Sequence, residues 1–411
     1  MRVAVIGAGS TYTPELVSGL SGVDVQRLAL HDIDLSRLDV VGGLAGRMLD
    51  GAGFGGELEL TGDLDRALDG ADVVLVQIRV GGQAARLSDE TAPLACGCIG
   101  QETTGAGGFA KALRTVPVVL DIARRARELA APGAWIVDFT NPVGIVTRAL
   151  LDDGHRAIGL CNVAIGFERA MARWVGVEPA RLIVDQVGLN HLTWVRAVWL
   201  DDRDVLPDLM ASHGDDLAEM AGGLPRALLE ELGAVPSYYL RYFYAHDEVL
   251  ADQLAGATPR AETVAEIERE LLQMYADPAL TTKPALLERR GGAFYSEAAT
   301  RLVESLASGD AAVHVVDVRN GTAVPGLAED DVVELPARVD RSGAHPLPQR
   351  PLAPELLGLV AHVAAYERLA VQAAVSGSRS AARLALLAHP LVGQWGKVEP
   401  LLDGLLEGAR A

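Results

Sequence analysis

The sequence predicts an α/β protein: an N-terminal Rossmann-like, doubly wound parallel sheet followed by a mixed α+β part. Short apolar runs alternate with helical patterns from residue 2 to about residue 165. A glycine-rich turn follows the first of these runs. The second half of the chain, beyond about residue 165, does not continue the alternation. We therefore expect a first domain over residues 1–165 and a second over residues 166–411.

The first unit has the order strand, glycine turn, helix. The β-branched run Arg2–Ile6 is followed by Gly7-Ala8-Gly9-Ser10, and Pro14 stands at an early position of the next helix. Such a turn aims backbone N–H groups and the helix dipole at an anion, which makes a phosphate cradle. The match to GxGxxG is partial, because Tyr12 stands where the third glycine belongs.

An acidic residue follows the second strand. The strand Val25–Leu30 ends before Asp32, which lies 25 residues beyond Gly7. Dinucleotide-binding folds place the acid that holds the ribose hydroxyls at about this distance. A tight turn without any ligand is the alternative, and the strand context with the spaced acid favours a dinucleotide.

The third unit opens into a polar segment. Strand Ala71–Ile78 is followed by the glycine-rich stretch Arg79–Gly108, for which we predict a long functional loop. A helix is expected from Lys111 to Leu129, and strand Ala134–Phe139 then closes on Asn141 after one threonine. In doubly wound sheets ligands bind at the carboxyl ends of the strands, where these polar residues stand.

Two further strand ends carry possible metal ligands. The run Arg156–Leu160 ends on Cys161, and the run Leu182–Leu189 is followed by Asn190 and His191. A thiolate and an imidazole at neighbouring strand ends could hold a divalent transition metal and leave positions open for a substrate. The alternative is a buried thiol and a hydrogen-bonded core histidine.

The second half adds aromatic and charged candidates. Tyr238, Tyr239 and Tyr242 form a cluster that could supply a base or could simply pack on a helix. Arg86 and Arg290 stand near glycine-rich turns, where they could bind a phosphate or remain solvated. The charged stretch 200–216 is predicted to be a surface loop.

Composition limits the class of protein. The 411 residues carry a formal net charge of -19, which argues against nucleic acid or an anionic membrane as partner. An anionic substrate must then meet locally concentrated arginines. Three cysteines make no disulfide framework and fit a reducing compartment. Neither a signal peptide nor an 18-residue apolar run is found, so we expect a cytoplasmic protein.

Taken together, the motifs resemble the NAD- and manganese-dependent glycosidases of glycoside hydrolase family four. The similarity runs in order through about three quarters of the chain. It rests on Gly-Ala-Gly-Ser-Thr-Tyr-Thr-Pro-Glu-Leu (7–16), Asp-Ile-Asp (32–34), Ile-Gly-Gln-Glu-Thr-Thr-Gly (99–105), Phe-Thr-Asn-Pro (139–142), Gly-Leu-Cys-Asn (159–162), Gly-Leu-Asn-His (188–191), Tyr-Leu-Arg-Tyr (239–242) and Arg-Gly-Gly (290–292).

This resemblance implies glycoside cleavage by oxidation and elimination. Hydride passes from sugar carbon 3 to NAD, a tyrosine removes the proton from carbon 2, the aglycone leaves carbon 1, water adds, and the hydride returns. Cys161 and His191 match the metal ligands, and Tyr239 matches the base best, with Tyr238 and Tyr242 left open. The implied NAD contacts are Gly7, Gly9, Ser10, Thr11, Asp32 and Arg37. The implied substrate contacts are Arg86, Asn141, Asn162 and Arg290, with the arginines on a 6-phosphate.

Asn162 indicates the linkage. Family members that act on α-linked 6-phosphosugars have Cys-Asp here, whereas Cys-Asn resembles the 6-phospho-β-glucosidases. An amide cannot donate a proton as a carboxylic acid does. The resemblance therefore implies β-linked 6-phosphoglucosides, such as cellobiose 6-phosphate, as substrates, and a homodimer or homotetramer as the assembly.

Other functions remain as alternatives. A dehydrogenase of the lactate or malate type shares the first half and the Thr-Asn-Pro turn, but it needs no Cys/His metal site. A sugar-phosphate sensor has little use for a base and an open metal. Within the family, a 6-phospho-α-glucosidase, an α-galactosidase or an α-glucuronidase is possible, and Asn162 counts against them.

Overall fold

The computed structural model describes residues 1–291 and 294–408, so Gly292 of the Arg-Gly-Gly motif lies outside the described residues. The strands within those ranges are β1 Arg2–Ile6, β2 Arg27–His31, β3 Glu57–Thr61, β4 Val73–Val76, β5 Trp135–Asp138, β6 Ala157–Gly159, β7 Leu182–Leu189, β8 Leu192–Leu200, β9 Arg203–Asp204, β10 Val235–Pro236, β11 Ala312–Arg319, β12 Val332–Asp340 and β13 Gly343–Pro346. The α-helices are α1 Thr13–Leu20, α2 Leu35–Ala52, α3 Leu64–Leu68, α4 Gly82–Thr91, α5 Gly105–Leu129, α6 Val143–Asp152, α7 Val163–Val175, α8 Leu206–Met220, α9 Arg226–Leu232, α10 Arg241–Tyr244, α11 His246–Leu254, α12 Arg260–Tyr275, α13 Leu286–Arg290, α14 Tyr295–Ser308, α15 Pro354–Ser376, α16 Arg379–Ala388 and α17 Trp395–Gly408.

The N-terminal half is a doubly wound parallel sheet, as predicted. Its strand order is β3-β2-β1-β4-β5-β6, and all five pairs are parallel. β1 therefore pairs with β2 on one side and β4 on the other, and the chain direction around the sheet reverses between β1 and β4. Ligands of such sheets bind at this reversal, beyond the carboxyl ends of the strands.

The second half extends the same sheet with antiparallel strands. β11 pairs with β6, with Asp317 opposite Gly159, and the sheet continues as β12, β7, β8 and β10. This confirms the mixed α+β character of the second half. One hydrophobic core runs through both halves, from Val3 of β1 to Leu405 of α17. The carboxyl end of β6 is thereby held close to the β7–β8 hairpin.

Two elements of the first half go beyond the sequence prediction. Helix α2 begins after Asp34, whose carboxylate accepts a hydrogen bond from the Arg37 N–H at 3.1 Å and caps the helix. Strand β3 adds the outer strand of the parallel half. It is only half-buried, and its alternating Glu-Leu-Glu-Leu sequence suits a sheet edge.

Two predicted loops are wrong. The stretch Arg79–Gly108 contains α4, a 3₁₀-helix over Ala92–Cys96 and the start of α5. The stretch 200–216 contains β9 and most of α8, because Leu206 and Leu209 are apolar anchors buried in a second core cluster. In α8 charged residues on the solvent side obscured a helical pattern, whereas the charged residues Asp89 and Glu90 of α4 are themselves buried. In the described part of the chain, no helix has the length and apolar character needed to cross a membrane.

Candidate active site

A single large cavity gathers almost all the predicted site residues. Its volume is about 1380 Å³, and it lies at the carboxyl ends of the parallel strands. The predicted residues that line it are Gly7, Gly9, Ser10, Asp32, Arg37, Arg86, Asn141, Cys161, Asn162, His191, Tyr239 and Arg290. Thr11 is the exception, because its side chain is fully buried beneath the turn and donates to Glu268 Oε1 at 3.5 Å.

The glycine turn and Asp32 form one end of the cavity. The Gly7 and Ala8 N–H groups donate to the His31 carbonyl at 2.9 and 2.8 Å, which ties the turn to the end of β2. The Gly9 N–H donates to Asp32 Oδ2 at 2.7 Å, and the Asp34 N–H donates to Oδ1 at 2.9 Å. The carboxylate is therefore fixed in orientation before any ligand arrives.

The turn requires glycine at two positions. Gly7 has a φ of +93°, and a Cβ there would lie 2.8 Å from the Gln77 carbonyl oxygen. A Cβ on Gly9 would lie 2.8 Å from Asp32 Oδ2. Tyr12, at the place of the third glycine, packs edge-on against Tyr295 at 5.1 Å and also lines the cavity. The partial motif therefore still makes the close backbone approach that a pyrophosphate needs.

Cys161 and His191 line the same part of the cavity from different elements. Cys161 lies two residues beyond the end of β6, and His191 is the second residue of the two-residue turn between β7 and β8. His191 has a φ of +63°, a conformation that costs a non-glycine residue about 1–3 kcal/mol and is concentrated at functional sites. The fold thus holds the imidazole at some expense in stability.

Burial disfavours the charged form of both side chains. Burial, reinforced by the Glu334 and Asp317 carboxylates, raises the pKa of Cys161 well above its ordinary value. Burial, reinforced by the Lys111 ammonium, lowers the pKa of His191 to about 3. A neutral imidazole is the form that binds a metal, and a cation beside Cys161 would favour its thiolate.

The donor set fits a divalent metal. Oδ1 of Asn141, which lines the cavity beside Cys161 and His191, is buried and has no hydrogen-bond partner among the described residues. No group of three or more His, Cys, Asp and Glu residues that could hold a metal occurs among residues 1–291 and 294–408. The protein therefore offers a sulfur and a nitrogen ligand and leaves the remaining positions to other oxygens, including those of a substrate.

Of the three candidate tyrosines, Tyr239 lines the cavity. Its ring stacks on His191 with the centroids 3.6 Å apart and an interplanar angle of 15°. Tyr238 is 41% exposed, and its hydroxyl accepts a hydrogen bond from Arg241. Burial raises the pKa of Tyr239 well above its ordinary value, and the nearby Cys161 raises it further. The protein residues alone therefore do not activate this phenol as a base.

The two predicted phosphate-binding arginines are held by carboxylates. Arg86 Nε lies 2.7 Å from Glu90 Oε1 and 3.1 Å from Glu102 Oε1. Arg290 Nη2 lies 2.8 Å from Glu268 Oε1. Both arginines are thereby oriented, because buried guanidinium groups need such partners.

Two family models match the chain: family 4 glycosyl hydrolase over residues 2–177 and its C-terminal domain over residues 186–392. The chain belongs to glycosyl hydrolase family 4. It is 38% identical to a protein of Bacillus subtilis named probable 6-phospho-beta-glucosidase, over 100% of this chain and 97% of that protein. It is 35% identical to the Escherichia coli 6-phospho-beta-glucosidase, over 95% of this chain and 91% of that protein.

A solved structure of the Thermotoga maritima 6-phospho-beta glucosidase with manganese, NAD+ and glucose-6-phosphate superposes with a TM-score of 0.92. The identity is 32%, over 100% of this chain and 98% of that one. A Clostridium acetobutylicum protein named phospho-alpha-glucosidase matches at 27% identity, over 98% of this chain and 97% of that protein. The family therefore includes both linkage types.

Sequence reasoning missed the centre of charge in this family 4 site. Glu102 and Lys111 both line the cavity and are both buried, with Lys111 Nζ 2.5 Å from Glu102 Oε2. Arg79 also pairs with Glu102. A lysine inside the apolar run Phe-Ala-Lys-Ala-Leu was the available signal, because lysine is almost never buried without a partner.

Glu102 is the shared anion of this group. Burial disfavours its charged form, but Arg79, Lys111 and Arg86 together outweigh burial and hold the pKa of Glu102 well below its ordinary value. Burial and the neighbouring Arg79 lower the pKa of Lys111 to about 8. The cavity wall beside His191 therefore carries more positive than negative charge in a protein that is acidic overall.

Proposed function

We propose that this family 4 glycosyl hydrolase cleaves β-linked 6-phosphoglucosides, such as cellobiose 6-phosphate, with NAD and a divalent metal such as Mn²⁺ bound. One observation carries the proposal: a single cavity joins the glycine turn with Asp32, the Cys161–His191 pair and Tyr239. Each part is needed for an oxidation–elimination route, and a dehydrogenase of the lactate or malate type has no use for the Cys/His pair.

The nucleotide end of the cavity suits NAD. Gly7, Gly9 and Ser10 bring the backbone close to a pyrophosphate, and the fixed Asp32 carboxylate accepts hydrogen bonds from ribose hydroxyls. Arg37 Nε donates to the Gly9 carbonyl at 3.1 Å and so stabilises the turn from outside. Thr11 supports the turn from below, where its carbonyl accepts a hydrogen bond from the Tyr275 hydroxyl at 2.8 Å.

The sugar end of the cavity suits proton abstraction. When bound, NAD supplies a reversible hydride acceptor, and the metal held by Cys161 and His191 supplies positive charge for the sugar oxygens. Tyr239 is the base for the proton on carbon 2, because its ring lies against the His191 imidazole. Asn141 holds the sugar with an amide oxygen that has no partner among the described residues.

Arg86 and Arg290 are proposed to bind the 6-phosphate. Both line the cavity, and both are fixed by buried carboxylates, so they offer preorganised donors to an anion. With a formal net charge of -19, the protein as a whole repels anions. A phosphorylated substrate is therefore favoured at this wall and disfavoured elsewhere on the surface.

The β linkage is proposed from Asn162. This residue lines the cavity directly after Cys161, at the beginning of α7. Its amide cannot protonate a leaving group, so a sugar aglycone must receive its proton from water or from another group rather than from an acid at this position. The two relatives with 38% and 35% identity are named for the β activity, whereas the one with 27% identity is named for the α activity.

The test uses the two anomers of p-nitrophenyl glucoside 6-phosphate with purified protein, NAD, Mn²⁺ and thiol. We expect release of nitrophenol from the β-anomer, and little release from p-nitrophenyl β-glucoside without the phosphate. Cleavage of the α-anomer alone would refute the linkage, and equal rates with and without phosphate would refute the role of the arginines.

Location and assembly complete the proposal. We place the enzyme in the cytoplasm, because Cys96, Cys98 and Cys161 are all free thiols and Cys161 must stay reduced to bind a metal. We propose a homodimer or homotetramer, because the C-terminal helices expose Leu384 and Trp395. Light scattering of the purified protein measures the assembly directly.

A further inference from the structure

A second, much smaller cavity touches His191 from another direction. Its volume is about 20 Å³, which suits a single water molecule. His191 lines both this cavity and the large one. The imidazole therefore borders both the large cavity and a space about the size of one water molecule.

Three residues around the small cavity carry polar atoms without partners. His191 Nδ1, Glu367 Oε2 and Tyr366 Oη are buried and have no hydrogen-bond partner among the described residues. All three side chains are more than nine-tenths buried. A buried polar group left unsatisfied costs about 1–3 kcal/mol, and a buried water typically makes about three hydrogen bonds. A single water within reach of all three atoms would satisfy them.

The surrounding elements make room for this arrangement. Glu367 and Tyr366 lie on α15, which packs against α5 and α6. Gly144 on α6 faces the carboxylate, and a Cβ there would lie 2.8 Å from Glu367 Oε1. The absence of a side chain at this position lets Glu367 reach the cavity beside His191.

His389 also lines the small cavity. The Gly105 N–H lies 3.0 Å from its Nε2 and the Leu391 N–H lies 3.1 Å from its Nδ1, and a neutral imidazole accepts a hydrogen bond from only one of these two groups. Its ring also packs edge-on against Tyr366 at 4.4 Å, which fixes the phenol. Among the described residues that line the small cavity, the buried polar atoms without a hydrogen-bond partner are those of His191, Glu367 and Tyr366.

We propose that one buried water accepts a hydrogen bond from His191 Nδ1–H and donates to Glu367 Oε2 and Tyr366 Oη. Glu367 is thereby a positioning residue: it fixes the imidazole tautomer whose Nε2 lone pair is free for the metal. The inference rests on the proposed function, since it concerns the metal site. Partners of this kind behind a ligating histidine typically change metal affinity by about 10–100-fold when they are removed.

The test compares Glu367→Leu with Glu367→Gln in the full chain. Leucine removes the acceptor at nearly constant volume, whereas glutamine keeps a carbonyl oxygen for the water. We expect Glu367→Leu to weaken Mn²⁺ binding by about 10–100-fold in calorimetry, and Glu367→Gln to stay within about threefold of wild type. NAD affinity, measured in parallel, is expected to be unchanged in both variants, which shows that the fold is intact.

A second readout does not depend on the metal. Nitrogen NMR of the metal-free protein is expected to show His191 with its proton on Nδ1 in wild type, and a shift toward Nε2–H in Glu367→Leu. Tyr366→Phe, which removes one oxygen atom only, is expected to weaken Mn²⁺ binding less than Glu367→Leu. An Nε2–H tautomer in wild type, or wild-type Mn²⁺ affinity in Glu367→Leu, overturns the inference. Mn²⁺ binding that survives Cys161→Ser overturns the proposed metal site instead. The tautomer of His191 is measured without metal, so it still decides the inference about the water.

Discussion

Replacing Gly9 by alanine tests how the glycine turn holds Asp32. An alanine Cβ at this position would lie 2.8 Å from Asp32 Oδ2, 2.9 Å from its Cγ and 3.2 Å from Arg37 Cβ. Ordinary contacts of a Cβ begin near 3.4 Å. The Asp32 carboxylate must therefore move by several tenths of an ångström, away from the N–H group that now binds it at 2.7 Å.

The size of the effect follows from the bond that is lost. A hydrogen bond to a charged group contributes about 1.5–3 kcal/mol, which corresponds to about 10–150-fold in an equilibrium constant. Because the same carboxylate is proposed to hold the ribose of NAD, we expect the Kd for NAD to rise by roughly this factor. The free energy of unfolding is expected to change less than the free energy of NAD binding, because the clash involves one side chain at the cavity wall.

Calorimetric titration of NAD measures the change, with Gly43→Ala as the matched control. Gly43 lies within α2, and a Cβ there would meet only Arg47 Nη1 at 3.5 Å. Alanine in a helix interior is favoured over glycine by about 0.5–1 kcal/mol, so Gly43→Ala is expected to be slightly more stable and to bind NAD normally. Wild-type NAD affinity in Gly9→Ala contradicts the assigned role of the turn.

Three further changes probe the site and the fold. Tyr239→Phe removes the proposed base and is expected to lower kcat by about 10²–10⁴-fold, whereas Tyr238→Phe, at an exposed neighbour, is expected to keep most of it; equal losses would exclude Tyr239 as the base. Glu102→Gln leaves the buried Lys111 and the partly buried Arg79 and Arg86 without their shared carboxylate, and urea unfolding is expected to show a loss of about 3–5 kcal/mol, mainly from Lys111; a loss below about 1 kcal/mol would mean that the cations are solvated. Burial lowers the pKa of His314 to about 4 from 6.5, so the unfolded chain takes up the proton first, and stability is expected to fall by about 3 kcal/mol as pH drops from 6.5 to 4. His314→Gln is expected to flatten that slope in pH-dependent unfolding, and an unchanged slope would assign it to other groups.

The fold class was confirmed, and the residues predicted for the site come together in one cavity, while their roles stay predictions. Cys161 and His191 could be paired from sequence because each follows an apolar strand, and both line one cavity in the structure. Asp32 could be placed by its distance from the glycine turn. These residues sit on regular elements whose ends are visible in the pattern. The domain boundary at residues 165 and 166 stays a prediction, since one sheet runs through both halves.

Long-range charge pairing could not be predicted. Glu102 lies beyond the 3₁₀-helix Ala92–Cys96, within the stretch predicted to be a loop, and its partners Arg79 and Lys111 come from different elements. The contact of Glu367 with the space behind His191 depends on α15, which lies more than 160 residues away in the chain. Periodicity shows which face of a helix is buried, but it does not show which buried polar groups meet.

The most direct measurement is hydrolysis of p-nitrophenyl β-glucoside 6-phosphate by the metal-stripped protein, with NAD and Mn²⁺ added singly and together. Absorbance at the nicotinamide band is followed in the same cuvette. The proposed function predicts nitrophenol release only when both are present, with no net NADH, because the hydride returns to the sugar in each turnover. NADH accumulation on a sugar phosphate without glycoside cleavage would contradict it and would make the N-terminal half an ordinary dehydrogenase site.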